Sequence, residues 1–583
     1  MQMARKYHRW AQGIGLSFII FHLSASSLMA QDIASIAKSD PLIMTGSIGT
    51  ANTYRYSSVG ETYGSPLSNT IYANLNISLY GISMPFSFYY SNDNMHFNYP
   101  QFTFSLTPRY KQWTGHIGQS SMAFSPYIMN MSWTGVGLEY NTDKLRVGAF
   151  YGRLRKAVNG DPSDPLARSA QYRRMGWGFK VSYGTSQNYI DLYLLRAYDC
   201  LNSIDDSWHE VISPQENIVV GLKGCVTPFK WVSLTANVAS SLFSTDTQAM
   251  KIEDDKAARW DNIFDVRYSS MMRFAGDATL NIRIPSGINL SLCYRMVQPD
   301  YTSLGTYYMS NNYQSLGVMA STTLFNKLAL SGTFSGQSDN LTNKQMFTTS
   351  GYVYNVMGSM RFGKYFNLNA IYNGYTQKQS DGTLKVNDST RVNRQLNSFT
   401  LTPMFMYSTE KLGHNISLTA NYTTNKDLNT FTETINHSNI TTTALGVSYS
   451  LNVVPWETDF GLTLSHQSSE GYRRKYRSDV GTLSVSRSFF ADKNLHLSAA
   501  MSLCYNEVER ESKNLSIGGN FSLGYTLKKV HSISAGASFN KYGDVNITKT
   551  RSNLDCTDIT CSLNYVYTFS LFEIKRRQSP SAE

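Results

Sequence analysis

The stretch Ile71-Tyr72-Ala73-Asn74-Leu75-Asn76-Ile77-Ser78-Leu79 puts an aliphatic side chain at every odd position and a hydroxyl or amide at every even one. Successive side chains of a β-strand point to opposite faces, so this segment reads as a strand with one greasy and one wet surface. The same dyad returns in His414 to Tyr422, where Ile416, Leu418, Ala420 and Tyr422 alternate with Asn415, Ser417, Thr419 and Asn421. It returns again where Leu515, Ile517, Phe521, Leu523 and Tyr525 oppose Ser516, Asn520 and Ser522, and in Cys561, Leu563, Tyr565, Tyr567 and Phe569.

Alternation alone suits a soluble sheet as well as a membrane wall, so the connections between strands decide. Tight turns are expected at Asn141 to Lys144, Gly184 to Gln187, Thr227 to Lys230, Phe325 to Lys327, Gly363 to Tyr365 and Lys528 to Val530. Between them lie longer polar segments near 155–173, 200–216, 244–263, 298–314, 337–350, 377–394, 424–440, 467–477 and 542–555. Short turns at one end and long loops at the other are the pattern of an outer-membrane barrel. Lipid leaves no backbone N–H or C=O a partner, so a sheet that crosses it must close on itself. The reading is therefore an all-β, transmembrane, antiparallel up-and-down barrel of about 26 strands, within 22 to 28. It spans 42–572, with both chain ends at the short-turn, periplasmic side. The stretch FSLTPRYKQWTGHIGQ before Tyr127 fits either wall or a segment folded into the lumen.

Residues 1–30 carry Arg5, Lys6 and Arg9, the apolar run GIGLSFIIFHL and small residues up to Ala30, as a secretory signal does. Removing them lowers the formal charge from +11 to +8, too mild an excess for a nucleic-acid binder. Residues 31–41 form a short leader, which leaves no room for a separate plug domain, and 573–583 a periplasmic tail. After the signal no run reaches the roughly 18 apolar residues of a membrane helix. The 39 Tyr and 29 Phe against 15 Pro suit half-buried strands with aromatic ends. Six cysteines lack CxxC spacing and are read as mostly unpaired.

Few motifs carry chemistry. The loop IDDSWHE, with Asp205, Asp206, His209 and Glu210, matches no metal-ligand spacing. The loop KIEDDKAARWD, with Glu253, Asp254 and Asp255, offers carboxylates to a divalent cation or simply keeps a loop wet. His466 and His496 have serines nearby but no third orienting group in an interpretable position. No catalytic residue, cofactor or metal site is expected. Basic residues gather at Arg153, Arg155, Lys156, Arg168, Arg173 and Arg174, and at Arg473, Arg474, Lys475 and Arg477. These could grip lipopolysaccharide phosphates or form a solvated rim. In Val297 to Gln314, Tyr301, Leu304, Tyr307, Tyr308 and Tyr313 are too aromatic for a freely solvated loop. That segment narrows the lumen, receives a partner, or is an interfacial girdle.

The stretches NLNISLYGISMPFSFYYSND, PRYKQWTGHIGQSSMAFSPY, GLEYNTDKLRVGAFYGRLRKAV and DYTSLGTYYMSNN resemble a family of large outer-membrane barrels of the Bacteroidota. The resemblance implies location and fold and brings no catalytic residues. Function then divides between a passive or partner-gated channel and a non-enzymatic scaffold or accessory barrel of an outer-membrane assembly, secretion or surface-lipoprotein complex. The expected partners are outer-membrane lipid and lipopolysaccharide, with surface lipoproteins or other complex subunits besides, and no nucleic acid.

Overall fold

The computed structural model describes residues 41–58, 66–93, 101–160, 169–253, 264–472, 474–509, 512–544 and 556–574. The wall begins with β1 (Leu42–Ser57), β2 (Leu67–Leu79), β3 (Ile82–Ser91), β4 (Gln101–Leu106), β5 (Arg109–Tyr110), β6 (Trp113–Ser120), β7 (Trp133–Asn141), β8 (Leu145–Arg155) and β9 (Arg173–Gly184). It continues through β10 (Tyr189–Cys200), β11 (Glu216–Phe229), β12 (Val232–Ser244), β13 (Ser270–Ile284), β14 (Ile288–Val297), β15 (Tyr313–Leu324), β16 (Leu328–Asp339), β17 (Phe347–Phe362) and β18 (Phe366–Asp381). It ends with β19 (Asn393–Ser408), β20 (Leu412–Asp427), β21 (Ile440–Val453), β22 (Thr458–Gly471), β23 (Arg474–Phe489), β24 (Leu495–Val508), β25 (Ser512–Leu527), β26 (His531–Asp544) and β27 (Cys556–Ile574).

Each strand pairs antiparallel with its sequence neighbour, and β1 pairs with β27 from Leu42↔Ile574 to Ser57↔Asp558, which closes the ring. The segments β4 and β5 both lie between β3 and β6, as one strand interrupted at Thr107 and Pro108. The closed barrel therefore has 26 strands, and FSLTPRYKQWTGHIGQ is wall. Short turns at one rim alternate with connections at the other that are longer at most positions. At the short-turn rim, Tyr80–Gly81, Phe325–Asn326 and Lys528–Lys529 each hold two successive positive φ angles, the left-handed pair that tight hairpins need. Both described ends, at Leu42 and Ile574, lie at that rim.

The segment 467–477, expected as a long loop, is instead mostly paired strand. Gly471 pairs with Arg474 and Glu470 with Lys475, so β22 and β23 run on together beyond the apolar band. Polar residues on a strand extension that leaves the greasy zone look like loop residues in sequence. At the chain's end β27 runs to Ile574, past the boundary at 572. All six cysteines are free.

The outer face is apolar all the way round, and the inner face is polar outside the patch where two connections pack on it. Ile48, Ile71, Val136, Leu138, Ile190, Leu192, Leu222, Leu483 and Leu563 stand exposed on the outside. One residue along each strand, Glu139, Lys180, Asp191, Asn217, Asn237 and Ser241 face the lumen. Apolar outside and polar inside is the reverse of a soluble sheet protein.

Candidate functional site

A wide ring cannot be filled by its own side chains, and here two connections supply a partial filling. Residues 121–132, between β6 and β7, and 298–312, between β14 and β15, fold inward and meet. Their Met122, Tyr127, Ile128, Met129, Met131, Tyr301 and Leu304 share one buried cluster with Trp133, Phe150, Leu154, Tyr193, Leu195, Val219, Ala239, Phe243, Ala275 and Val297 of the wall. Among the described residues that cluster has members on β7, β8 and β10 to β14 and none on β16 to β27.

The wall is shaped for this contact by residues that leave space. A Cβ on Gly221 would lie 2.3 Å from Cδ1 of Ile128, and one on Gly178 would lie 2.3 Å from the Phe150 ring and 2.9 Å from that of Phe124. Glycine within a strand here admits another chain segment against the backbone. The ring of Trp133 stacks on Phe150 with centroids 4.9 Å apart, and Phe124 meets Phe150 edge-on at 5.8 Å.

Polar wall residues then fix the two segments in register. Ser125 Oγ donates to Asn237 Oδ1 at 2.9 Å. The Leu304 N–H donates to Asn217 Oδ1 at 3.1 Å, while the Asn217 amide donates to Ser241 Oγ at 2.8 Å. Ser241 Oγ in turn donates to the Thr302 carbonyl at 2.6 Å. Between the segments, Tyr301 Oη donates to the Tyr127 carbonyl at 2.8 Å, and the Asn130 N–H to the Gly305 carbonyl at 3.1 Å. Burial raises the phenol pKa of Tyr301 and of Tyr127 above the ordinary value.

A trio of Lys180, Glu139 and His116 lies beneath. Lys180 Nζ is 2.5 Å and His116 Nε2 3.1 Å from the Glu139 carboxylate, and Lys180 Nζ also reaches the Ala123 carbonyl at 3.5 Å. The lysine crosses β8 at Gly148, where a Cβ would stand 2.8 Å from its Cε and 2.9 Å from Met122 Sδ.

The sequence-selected residues divide accordingly. Tyr301 (1% exposed) and Leu304 (3%) are buried in the cluster, whereas Tyr307 (73%) and Tyr308 (79%) project from the same segment. Tyr313 starts β15 and packs at the cluster's edge. Of the basic residues, Arg174 is 6% exposed and grips Asp199 with Nε at 2.8 Å and Nη2 at 3.0 Å. Arg155 approaches the same carboxylate at 3.5 Å, so both guanidinium groups turn to an acid of the protein. The Arg155 Nε also donates to the Tyr172 carbonyl at 3.3 Å. Arg173 is exposed, its backbone N–H donating to Ser203 Oγ at 2.9 Å. Lys156 is exposed, follows β8 into the long connection, and accepts a hydrogen bond at its carbonyl from Gln171 Nε2 at 3.0 Å. At the far side of the ring Lys475 pairs with Glu470, Arg474 begins β23, and Arg473 lies outside the described residues.

The other sequence candidates do not converge. His209 Nδ1 is 3.6 Å from Asp206, and its ring stacks on Tyr172. No group of three His, Cys, Asp or Glu able to hold a metal occurs among the described residues. Asp254 and Asp255 lie outside them. His466 pairs with Asp479 at 2.6 Å and His496 with Ser488 at 3.3 Å, two separate pairs on the wall. Sequence reasoning missed the 121–132 segment. Its signal was the run SMAFSPYIMNMSW, rich in Met and aromatics without a period of two.

No family model matches this chain, and no curated protein matches it. Among solved structures, OccAB3 of Acinetobacter baumannii aligns over 68% of this chain and 99% of its own, at 11% identity and a TM-score of 0.30. The outer membrane protein OpdK of Pseudomonas aeruginosa aligns over 61% and 94%, at 10% and 0.30. OprD of the same organism aligns over 71% and 97%, at 9% and 0.30. The strand count and the lumen described above are this chain's own.

Proposed function

We propose that the chain is an outer-membrane channel for polar solutes, with its lumen narrowed from one side by the segments 121–132 and 298–312. The observation that carries this reading is the one-sided filling: among the described residues the buried cluster has its wall members on strands between β7 and β14, with Tyr313 of β15 at its edge and none on β16 to β27. Apolar side chains on the outside suit lipid, and the even, closed strand number leaves no unpaired edge in it. Both ends at the short-turn rim suit periplasmic termini. Solute would pass by diffusion, with the narrowed side setting size.

Reconstitution of the purified protein in a planar bilayer tests this. Stable conductance steps are expected, and a silent, correctly folded barrel would overturn the channel. A second reading, gating or docking by a partner such as a surface lipoprotein, is favoured by one feature. Tyr307 and Tyr308 are exposed on a segment whose other side is anchored, as a rigid aromatic pad for a partner would be. Crosslinking from those two positions in native membranes tests it. The basic residues Arg173, Arg474 and Lys475 remain a proposed lipopolysaccharide contact, tested by lipid co-purification with and without them.

A further inference from the structure

Beside the inward segment the inner wall is hollowed into a cleft of about 1010 Å³ between residues 310–313 and strands β14 to β19. We propose that this cleft is a binding subsite for neutral, polyhydroxylated solutes of the size of a short oligosaccharide. The inference rests on the channel reading for its place in transport, though not for binding itself.

The strand registers lay out the floor as a grid. Gln337 stands opposite Gly351, Ser335 opposite Val353, Val353 opposite Tyr375, and Asn355 opposite Asn373. The carboxamides of Gln337, Asn355 and Asn373 each carry two donors and an acceptor. No hydrogen bond ties any of the three side chains to another described residue. Such groups are matched by vicinal hydroxyls, which both give and accept. Tyr313 and Tyr375 add aromatic faces at the cleft's sides, suited to the flat apolar face of a sugar ring.

Charge argues against an ionic ligand. The lining holds one cation, Arg295, and one anion, Asp339. Arg295 stands directly across the strand pair from Asp277, and Asp339 Oδ1 already accepts the Thr349 N–H at 2.5 Å. Neither sign is left in excess to hold a charged solute.

The wall is also modified at this spot. The β17–β18 ladder runs from Ser350↔Lys378 to Val353↔Tyr375 with the rungs between them missing. There the Tyr352 N–H donates to the Thr376 hydroxyl at 3.0 Å in place of a carbonyl. A Cβ on Gly351 would lie 2.0 Å from the Thr376 carbonyl oxygen, so only glycine allows this close approach. This distortion lies in the floor of the cleft, whose lining includes both Gly351 and Thr376.

The test is calorimetric titration of the detergent-solubilised full chain with maltotriose, xylotriose and chitotriose, and with succinate and triglycine as charged controls. Binding of at least one trisaccharide in the millimolar range is expected, weakened tenfold or more in Asn355→Ala/Asn373→Ala and in the cleft-filling Ser335→Phe. Both variants should keep the heat-modifiable migration of a folded barrel. Absence of binding by all three sugars, equal binding of the charged controls, or affinity unchanged in both folded variants would overturn the subsite. Bilayer recordings separate the two readings: sugar binding by a silent barrel keeps the subsite and removes the channel, while conductance without sugar binding does the reverse.

Discussion

The Tyr301 hydroxyl donates to the main-chain oxygen of Tyr127 across 2.8 Å, joining two segments that lie 174 residues apart in the chain. Both partners are buried, so the bond is one of the ties by which each inward segment holds the other, beside that from the Asn130 N–H to the Gly305 carbonyl. Tyr301→Phe keeps the ring and orphans the Tyr127 carbonyl, at a cost of about 1–3 kcal/mol. Amide exchange in 121–132 and 298–312 should accelerate about tenfold or more, with the wall unchanged. Equal protection in the variant would show that the tie contributes nothing.

The same phenol gives the pair a pH dependence. Burial raises the Tyr301 pKa above the ordinary 10.0, so the packed state holds its proton where a released segment would lose it. The packed state then binds more protons, and its stability falls as pH rises. The contribution is complete below pH 10.0 and is lost progressively above it. The absorbance difference at 295 nm between the wild type and Tyr301→Phe should show no ionisation of this phenol near pH 10.0. A Tyr301 that titrates together with the exposed tyrosines would contradict the packing.

At Gly221 the 121–132 segment packs directly on the wall backbone, with Cδ1 of Ile128 2.3 Å from where a Cβ would stand. Gly221→Val puts a branched side chain in that space, an overpacking cost of about 1–3 kcal/mol that falls on the contact rather than on the strand. The barrel should still form and migrate as folded. Protease should cut near Ile128 more readily, and the mean bilayer conductance should rise as the filling loosens. A variant with wild-type proteolysis and conductance would mean that Ile128 repacks without moving its backbone.

Much of the wall was legible because its signal is local. The alternation at Ile71 to Leu79 assigns strand and face together, and the alternation of short and long connections assigns the rims. Tyr301 and Leu304 drew attention because their neighbourhood is too aromatic for solvent. The failures are non-local or come from changed surroundings. Nothing near Ile128 announces that Gly221 will lie beneath it, and glycines at Gly135, Gly137, Gly176 and Gly178 read as weak strand residues until the bulk opposite them is known. At 467–477 the residues are polar because the hairpin has left the apolar band, not because it has ended.

Lys180, reaching over Gly148 to Glu139, exemplifies a contact between strands that are not neighbours. Lys180→Met keeps the stem's volume and removes the charge, leaving Glu139 with His116 alone. The loss should be about 2 kcal/mol, below the full penalty for an orphaned buried charge because His116 remains. It should appear as faster exchange around Ala123, whose carbonyl Lys180 also approaches. Glu139→Gln/Lys180→Met removes both charges, so it should recover part of that protection. A double variant whose loss equals the sum of the losses in Glu139→Gln and Lys180→Met alone would exclude coupling.

Asp199 collects Arg174 in a two-point grip, Arg155 at 3.5 Å and the Gln215 N–H at 3.2 Å. It thereby ties β8, β9 and the connection 201–215 together at the long-connection rim. Asp199→Asn keeps the shape but withdraws the charge from two guanidinium groups, one of them buried, at a cost of about 3–5 kcal/mol. The expected result is local: exchange rises near Tyr172 and Ile212, whose hydroxyl–carbonyl bond of 3.0 Å depends on the same packing, and the far wall at β16 to β27 stays protected. Asp199→Glu, which restores the charge, should recover most of the protection. Loss of protection spread evenly around the ring would show instead that Asp199 supports the barrel as a whole.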